Sequence, residues 1–422
     1  MSIDLLASTS RVETPFIYVT IGDYTFGKYQ KDIRNVVGNN EAGKRMVVTY
    51  PNYMQSLSID KLNGQLNRYT LIMKYAISFG DDPNLLEKVF STTKNTRTLK
   101  ISYGDLSVPS FIYKEEEALI TDIQSQVDLS SSSITYTISC QSKALAYQAG
   151  NLSFPRRFAK PSDVIKEILY DKRYGLLDVF TGMIDREKVL AKNLIAGDDQ
   201  AVQIEAKQYI NILDYLNYLV SCMSSVRDQA NTILKTARYV LTISDDITNT
   251  FEGPYFKVTK VSTKVNNYNN LDTYEINIGN FSKDLIIGFT VDDNQTYSIL
   301  YDYSNKIQQS NYIYRINNEG EIDYSYSPVL SNSQTLMKTT EADKTWWTQV
   351  TQLPVNATLT LKGLLRPALL MSYLKINVYF FGRKHISSGL YIITRQTDRI
   401  DSSGYRTTLN LSRIGGDQEY DN

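Results

Sequence analysis

The chain has 422 residues, and its 45 Lys plus Arg balance 45 Asp plus Glu to a formal net charge of zero. That length exceeds one ordinary core and points to two or three domains. The balance also lacks the basic excess with which nucleic-acid binders neutralise phosphates.

Residues 1–10 show no basic segment followed by an apolar core, so no signal peptide is expected. Phe16, Tyr18 and Thr20 alternate with Ile17, Val19 and Ile21 before Gly22-Asp23, which predicts a short strand and turn. From Ser56 a period of two dominates. Leu57 and Ile59 alternate with polar neighbours, and Leu71, Met73, Tyr75 and Ile77 continue a longer strand. Asp81-Asp82-Pro83 breaks the pattern, and residues 84–90 are expected to make one or two helical turns. Strands follow at 98–103, 111–127 and 134–142, the last with Ile134, Tyr136, Ile138 and Cys140 on one face.

After Gly150 the pattern changes. Pro155 and Pro161 bracket a linker, and Ser162 or Asp163 caps a helix carrying Val164, Ile165, Ile168 and Leu169. Ile212, Leu213, Leu216, Leu219 and Val220 recur at helical spacing, which predicts a second helix over 210–223. Residues 151–237 therefore read as a mostly helical insertion. Strands resume at 238–243, 256–263 and 273–278. Residues 290–344 are rich in Tyr, Asn and Ser and read as a peripheral subdomain or long loop, with a helix around 341–350 bearing Trp346 and Trp347. Strands at 357–361, 374–381, 389–396 and 405–414 end in a polar tail, 416–422. The longest apolar stretch, near 364–371, is interrupted by Arg366 and Pro367, so no ~20-residue membrane helix and no membrane insertion are expected.

The end of the first β region resembles the end of the last. Leu99-Lys100-Ile101-Ser102-Tyr103 compares with Leu374-Lys375-Ile376-Asn377-Val378, and Leu119-Ile120-Thr121-Asp122-Ile123 with Ile392-Ile393-Thr394-Arg395-Gln396. Val127-Asp128-Leu129-Ser130-Ser131 then compares with Ile400-Asp401-Ser402-Ser403-Gly404, each leading into an alternating strand. Asp and Ser suit such turns because their side chains bond to the turn backbone. The expected fold is α+β, mainly antiparallel β. It comprises two related barrel-like domains (1–150, and 238–289 plus 345–415), the helical insertion and the peripheral Tyr-rich segment.

Chemistry-bearing motifs are scarce. His385 is the sole histidine and reads as a surface turn residue, which leaves a nucleophile–histidine arrangement one possible centre. Cys140 and Cys222 form no disulfide framework or zinc-ligand spacing. Gly38-Asn39-Asn40-Glu41-Ala42-Gly43-Lys44-Arg45 approaches a phosphate loop but lacks the following Ser or Thr and reads as a loop. Glu115-Glu116-Glu117 reads as a solvated face. With Asp292-Asp293 it is the weak basis for a hydrolase reading. The 32 Tyr fit pleated, half-buried contact surfaces, or equally the codon bias of an AT-rich genome. Tyr301, Tyr303, Tyr312, Tyr314, Tyr324 and Tyr326 either pack together in a small β subdomain or form a stacking platform. The platform underlies an alternative function, receptor or glycan binding through residues 297–326. No catalytic residue, metal or cofactor is assigned.

The order of parts carries a resemblance. Gln141-Ser142-Lys143-Ala144-Leu145 leads to Phe154-Pro155-Arg156-Arg157-Phe158, then to Ser162-Asp163-Val164-Ile165-Lys166-Glu167-Ile168-Leu169. Leu213-Asp214-Tyr215-Leu216-Asn217-Tyr218-Leu219 and Ser244-Asp245-Asp246 follow, and Gly389-Leu390-Tyr391-Ile392-Ile393-Thr394 opens the closing hairpin. This order resembles the baseplate hub family of T-even-type contractile phage tails, related to the hub part of injection-system and type VI secretion spike proteins. The resemblance implies a non-enzymatic virion protein of the tail baseplate, assembled in the host cytoplasm. It implies a homotrimer whose tube-like domains adapt a sixfold tail tube to a threefold central spike. The first tail-tube ring and a separate spike polypeptide are the implied partners, and tape-measure protein or DNA would pass through the lumen without sequence-specific binding.

Overall fold

The structure is a computed structural model describing residues 15–22, 24–28, 53–76, 84–91, 98–105, 112–170, 194–199, 201–223, 238–247, 255–261, 272–278, 286–293, 312–316, 322–326, 355–362, 370–385 and 387–415. The first region supplies β1 (Pro15–Ile21), β2 (Tyr24–Lys28), β3 (Met54–Leu62), β4 (Arg68–Ala76), α1 (Leu85–Ser91), β5 (Thr98–Asp105), β6 (Ile112–Asp128) and β7 (Ser133–Ser142). Period-two burial follows the side-chain alternation: Tyr69, Leu71, Met73 and Tyr75 of β4 and Tyr136, Ile138 and Cys140 of β7 all point into one core.

The middle region contains a 3-10 turn (Lys143–Gln148), β8 (Leu152–Phe154), β9 (Arg157–Ala159), α2 (Pro161–Tyr170), β10 (Leu194–Ile195), β11 (Val202–Ile204), β12 (Lys207–Ile210), α3 (Ile212–Met223), β13 (Arg238–Ser244) and β14 (Tyr255–Val261). The expected insertion is thus mixed rather than mostly helical among the described residues. Its two helices are accompanied by short ladders, β8 with β12 and β9 with β11. Helix α2 begins at Pro161, whose fixed φ suits a first helical residue. Ser162 does not cap it through its side chain; its N–H donates to Asp199 Oδ2 at 2.9 Å. Asn211 caps α3, its Oδ1 accepting from Asp214 N at 2.8 Å. Strands β13 and β14 form a small sheet with β10 and pack Leu241, Ile243, Phe256 and Val258 on the apolar faces of these helices. They lie outside the large sheet, although sequence reading grouped them with the last β region.

The last region contains β15 (Asp272–Ile278), β16 (Ile286–Asp293), β17 (Tyr312–Ile316), β18 (Ile322–Tyr326), β19 (Val355–Leu361), β20 (Tyr373–Phe380), β21 (Arg383–Lys384), β22 (Gly389–Asp401) and β23 (Gly404–Gly415). β17 and β18 form an isolated antiparallel pair in which Tyr312 faces Tyr326 and Tyr314 faces Tyr324. The phosphate-loop-like 38–45, Tyr301, Tyr303, Trp346, Trp347, the helix expected at 341–350 and the tail 416–422 lie outside the described residues.

First and last regions join in one 14-stranded sheet, ordered β16-β19-β23-β22-β3-β4-β7-β6-β5-β1-β2, with β15, β20 and β21 branching from β22. Its path runs from β16 to β2 without returning, so the described strands form an open sheet and no closed barrel. Within it one five-strand order occurs twice, as β3-β4-β7-β6-β5 and as β16-β19-β23-β22-β20. The registers correspond. Leu57 pairs Leu71 and Leu71 pairs Ile138 in one set, and Phe289 pairs Leu359 and Leu359 pairs Leu409 in the other. Thr98 pairs Leu119, as Tyr373 pairs Ile392. Register shifts recur at matching places, between Met54 and Ser56 and between Ile286 and Gly288. A second matching pair falls between Ile120 and Asp122 and between Ile393 and Arg395. There the bulged threonines act alike: Thr121 Oγ1 donates to Ser139 O at 3.0 Å, and Thr394 Oγ1 to Asn410 O at 3.1 Å. The turns match too, with Ser130 N donating to Asp128 Oδ1 at 2.9 Å and Ser403 N to Asp401 Oδ1 at 2.7 Å.

Each set has its own core, and the first also takes in Ile400 and Tyr405 from the second. Leu71 and Leu359 occupy corresponding places, and both are fully buried. Leu71→Ala and Leu359→Ala are each expected to cost about 2–5 kcal/mol through lost transfer energy and a residual cavity. Urea denaturation checks this, and a cost below about 1 kcal/mol at either site contradicts the correspondence.

Candidate assembly interface

β22 is long enough to serve two partners. Its first part, 389–392, pairs β20, and its second part continues past β20 to lie antiparallel to β3, from Arg395 opposite Leu62 to Ile400 opposite Leu57. On the outward face the Arg395 guanidinium forks onto Asp60, Nε and Nη2 each 2.7 Å from a carboxylate oxygen, and Thr397 Oγ1 donates to Oδ1 at 3.1 Å. The Arg395 bond holds the Asp60 carboxyl below the usual range despite partial burial. On the inward face Leu57, Ile59 and Ile400 are fully buried. The polar inward residues of β22 bond to one another and to β23, although Gln396 Oε1 stays buried without a partner. Asp398 Oδ1 accepts from Thr407 Oγ1 at 2.6 Å and Tyr405 OH at 3.2 Å, and Asp398 Oδ2 accepts from Gln396 Nε2 at 2.6 Å.

Beneath this seam lies a buried ionisable network. Lys61 of β3 pairs with Glu116 of β6. Tyr103 OH donates to Glu116 Oε1 at 2.9 Å, while Tyr69 OH lies 2.7 Å from Glu116 Oε2 and 3.0 Å from Asp245 Oδ2. Asp245, just beyond β13, also accepts from Asn67 Nδ2 at 2.8 Å and Ser142 Oγ at 2.5 Å. Burial pushes Glu116 up, but Lys61 and Lys114 outweigh it and leave the carboxyl below its ordinary value. For Asp245, burial outweighs the hydrogen bonds from Ser142, Asn67 and Tyr69 and raises the carboxyl to about 6. Burial also lifts Tyr69, Tyr103 and Tyr405 well above the usual phenol range. Backbone bonds fasten the middle region here: Glu117 N donates to Asp245 O at 3.2 Å, Ile247 N to Glu115 O at 2.7 Å and Gly64 N to Leu241 O at 2.8 Å. Gly64 adopts φ +68°, and a Cβ there would stand 3.0 Å from Asn217 Oδ1 of α3, so glycine suits both the turn and the approach.

The acidic run 115–117 is therefore no solvated face. Glu116 and Glu117 are buried, Glu117 against Lys143 Nζ at 2.5 Å. Their partners lie elsewhere in the chain, Lys61 on β3 and Lys143 in the 3-10 turn, and the run itself carries no sign of them. His385 lies exposed in its turn, Nδ1 2.8 Å from Ser387 Oγ. Cys140 and Cys222 form no disulfide and are both buried, Cys140 in the core of the first set and Cys222 on α3, and burial pushes the Cys140 thiol up to about 12. Asp292 is exposed on β16, away from the buried Glu116. Among the described residues no three His, Cys, Asp or Glu side chains gather as a metal site, and no helix is long and apolar enough to cross a membrane.

No family model and no curated protein sequence matches the chain. Solved structures do. A tail protein from Neisseria meningitidis aligns with TM-score 0.50 and 8% identity, covering 94% of this chain and 96% of that one. A 43 kDa prophage tail protein from Shewanella oneidensis aligns at 0.47 and 9% identity, covering 95% and 98%. A component of the E. coli type VI secretion system, described as structurally similar to T4 bacteriophage tail proteins, aligns at 0.45 and 8% identity, covering 87% and 76%.

The network makes a pH prediction. Asp245 titrates near 6 when folded against about 3.9 in a free chain. Between these values the folded protein holds the proton more tightly, so this group's contribution falls as pH rises from about 4 to 6. The stability difference, wild type minus Asp245→Asn, is expected to shrink by on the order of 1–3 kcal/mol across that window. Urea titrations at several pH values measure it, and a flat or growing difference contradicts the assignment. The chain shares the fold of the tail protein from Neisseria meningitidis.

Proposed function

We propose that this chain is a structural, non-catalytic tail protein: a trimeric baseplate hub that adapts a sixfold tail tube to a threefold central spike and leaves a central channel. The observation that carries the reading is the five-strand order present twice in matching register, the two sets joined edge to edge by β22 and β3. We infer that the sets are duplicated units of one tube-like design. Three copies of a chain with two such units present six similar surfaces, which is what a tube of sixfold symmetry can dock on, while the chain count stays threefold for the spike. A heterologous contact that closes makes such a ring.

The spike, the first tube ring, and the tape-measure protein or DNA in the lumen are the proposed partners, with the virion tail as the location. Zero formal net charge suits a channel that does not hold its cargo tightly. Light scattering of the purified protein with negative-stain imaging tests this. The expected result is a mass of three chains and a ring with a central hole. A stable monomer across micromolar concentrations overturns the hub, and one that binds polysaccharide favours the Tyr-rich segment 297–326 as a receptor-binding element instead.

A further inference from the structure

The middle region meets the two five-strand sets in unlike ways. Against the second set the contact is apolar, with Val240 of β13 packed on Met371, Leu390 and Ile392. Against the first set it is polar and buried, and it centres on Asp245. That polarity belongs to the joint and not to the five-strand design. By the registers that relate the sets, Tyr69, Tyr103 and Glu116 of the first correspond to Ala357, Val378 and Gly389 of the second.

The polar joint is one hydrogen short. Tyr69 has a single hydroxyl hydrogen for two carboxyl oxygens, Glu116 Oε2 at 2.7 Å and Asp245 Oδ2 at 3.0 Å. With both carboxyls ionised, one of these contacts sets oxygen against oxygen with no hydrogen between them. With a proton on Asp245 Oδ2 both become hydrogen bonds, Asp245 donating to Tyr69 and Tyr69 to Glu116. Charge leads to the same place. Two ammonium groups, Lys61 and Lys114, face three buried carboxyls, Glu116, Asp245 and Asp398. Glu116 takes Lys61, and Asp398 accepts from Thr407, Tyr405 and Gln396. The bonds to Asp245 come from neutral groups, Asn67, Ser142 and Tyr69. Glu117 is paired with Lys143, and Asp246 adds a further carboxyl beside Lys114. Tyr103 and Tyr405 stay neutral, because burial holds them well above the usual phenol range.

We propose that a bound proton closes this joint: held between Asp245 and Tyr69 it fastens the end of β13 to β6, and its loss to water frees residues 244–247 while Val240 keeps the middle region on the second set. The network fixes one placement, and the proton is part of what fixes it. The bonds at stake are Glu117 N to Asp245 O, Ile247 N to Glu115 O and the bridge between Glu116 and Asp246. Glu116 is fixed within β6 opposite Ile101 of β5, whereas Asp245 lies just past the end of β13, so Asp245 is the carboxyl that gives way. Burial holds its proton up to about pH 6, so the joint is closed in weakly acid solution and loosens towards neutrality. The apolar contact at Val240 carries no charge and does not follow pH. This device belongs to a single chain and stands whether or not three copies make a hub.

Hydrogen–deuterium exchange of the full chain at about pH 5 and about pH 7.5, corrected for the intrinsic rate at each pH, tests the device. Peptides carrying Glu117 and Ile247 are expected to exchange on the order of ten- to a hundredfold faster at the higher pH, as a carboxyl raised from about 3.9 to about 6 allows. Strands β13 and β14 are expected to keep their protection. Asp245→Asn carries an amide that donates to Tyr69 and cannot ionise, and Asn67 can turn its Oδ1, buried without a partner, to accept from it. That variant is expected to stay protected at both pH values. Tyr69→Phe removes the bridge and is expected to exchange fast at both, with β6 and β7 still protected beyond Glu117. Equal protection of the wild type at the two pH values overturns the proposal. An Asp245→Asn chain that still loosens at the higher pH overturns it, since another group is then titrating, and so does a Tyr69→Phe chain that keeps the wild-type response. Protection lost throughout β13 and β14 also overturns it, because the middle region then unfolds and does not part from the first set.

Discussion

Everything in the arrangement depends on one strand outrunning its neighbour. Were β22 as short as β20, the two five-strand sets would be separate sheets on a tether. Its continuation from Arg395 to Asp401 lays a fresh backbone edge against β3. One ladder then fixes two units in a defined register and carries Ile400 and Tyr405 into the core of the other set. A one-residue slip would turn Ile400 outward and Arg399 inward, so burial on one face specifies the pairing strongly. The Arg395–Asp60 fork adds direction to that choice more than energy, since both side chains remain partly open to water.

Burying Lys61, Glu116, Lys114 and Asp245 close to that ladder is costly in desolvation, and an apolar core would often be as stable. What the network provides is geometry. Lys61, Glu116 and Asp245 each bond to a partner on a different element, and β3, β4, β5, β6, β7 and the end of β13 all contribute. Misdocking of any one of them leaves a buried charge without its partner, which penalises alternative arrangements far more than it rewards the right one. Thus the middle region, the first set and the seam are held in a single relative placement.

Much of the local structure was legible in the sequence because it has local causes. Alternation over 133–142 and the Pro161 and Ile212 helices obey the periods of their elements. The paired Asp-Ser turns after Val127 and Ile400 pointed to corresponding hairpins, and their registers correspond. The seam was not legible. Strand β22 reads as ending near Gln396, because Gln396 and Asp398 sit where apolar residues belong; Gln396 donates to Asp398, whose other partners Thr407 and Tyr405 appear only once β23 folds back. Arg395 and Asp60 are 335 positions apart, and no local pattern sets that pairing. Glu116 misled for the same reason, its partners lying on three other strands. The β13–β14 pair reads like any other hairpin, and only the apolar faces of α2 and α3 draw it away from the large sheet.

The central claim is that one chain carries two corresponding five-strand units, which β22 and β3 join edge to edge. A high-resolution electron cryomicroscopy structure of the assembled protein tests it most directly. The predicted result is a ring of three copies in which the two sets of each copy superpose strand for strand around one central hole, with Ile400 of β22 opposite Leu57 of β3. Copies that form no ring, or two sets that fail to superpose, would contradict it.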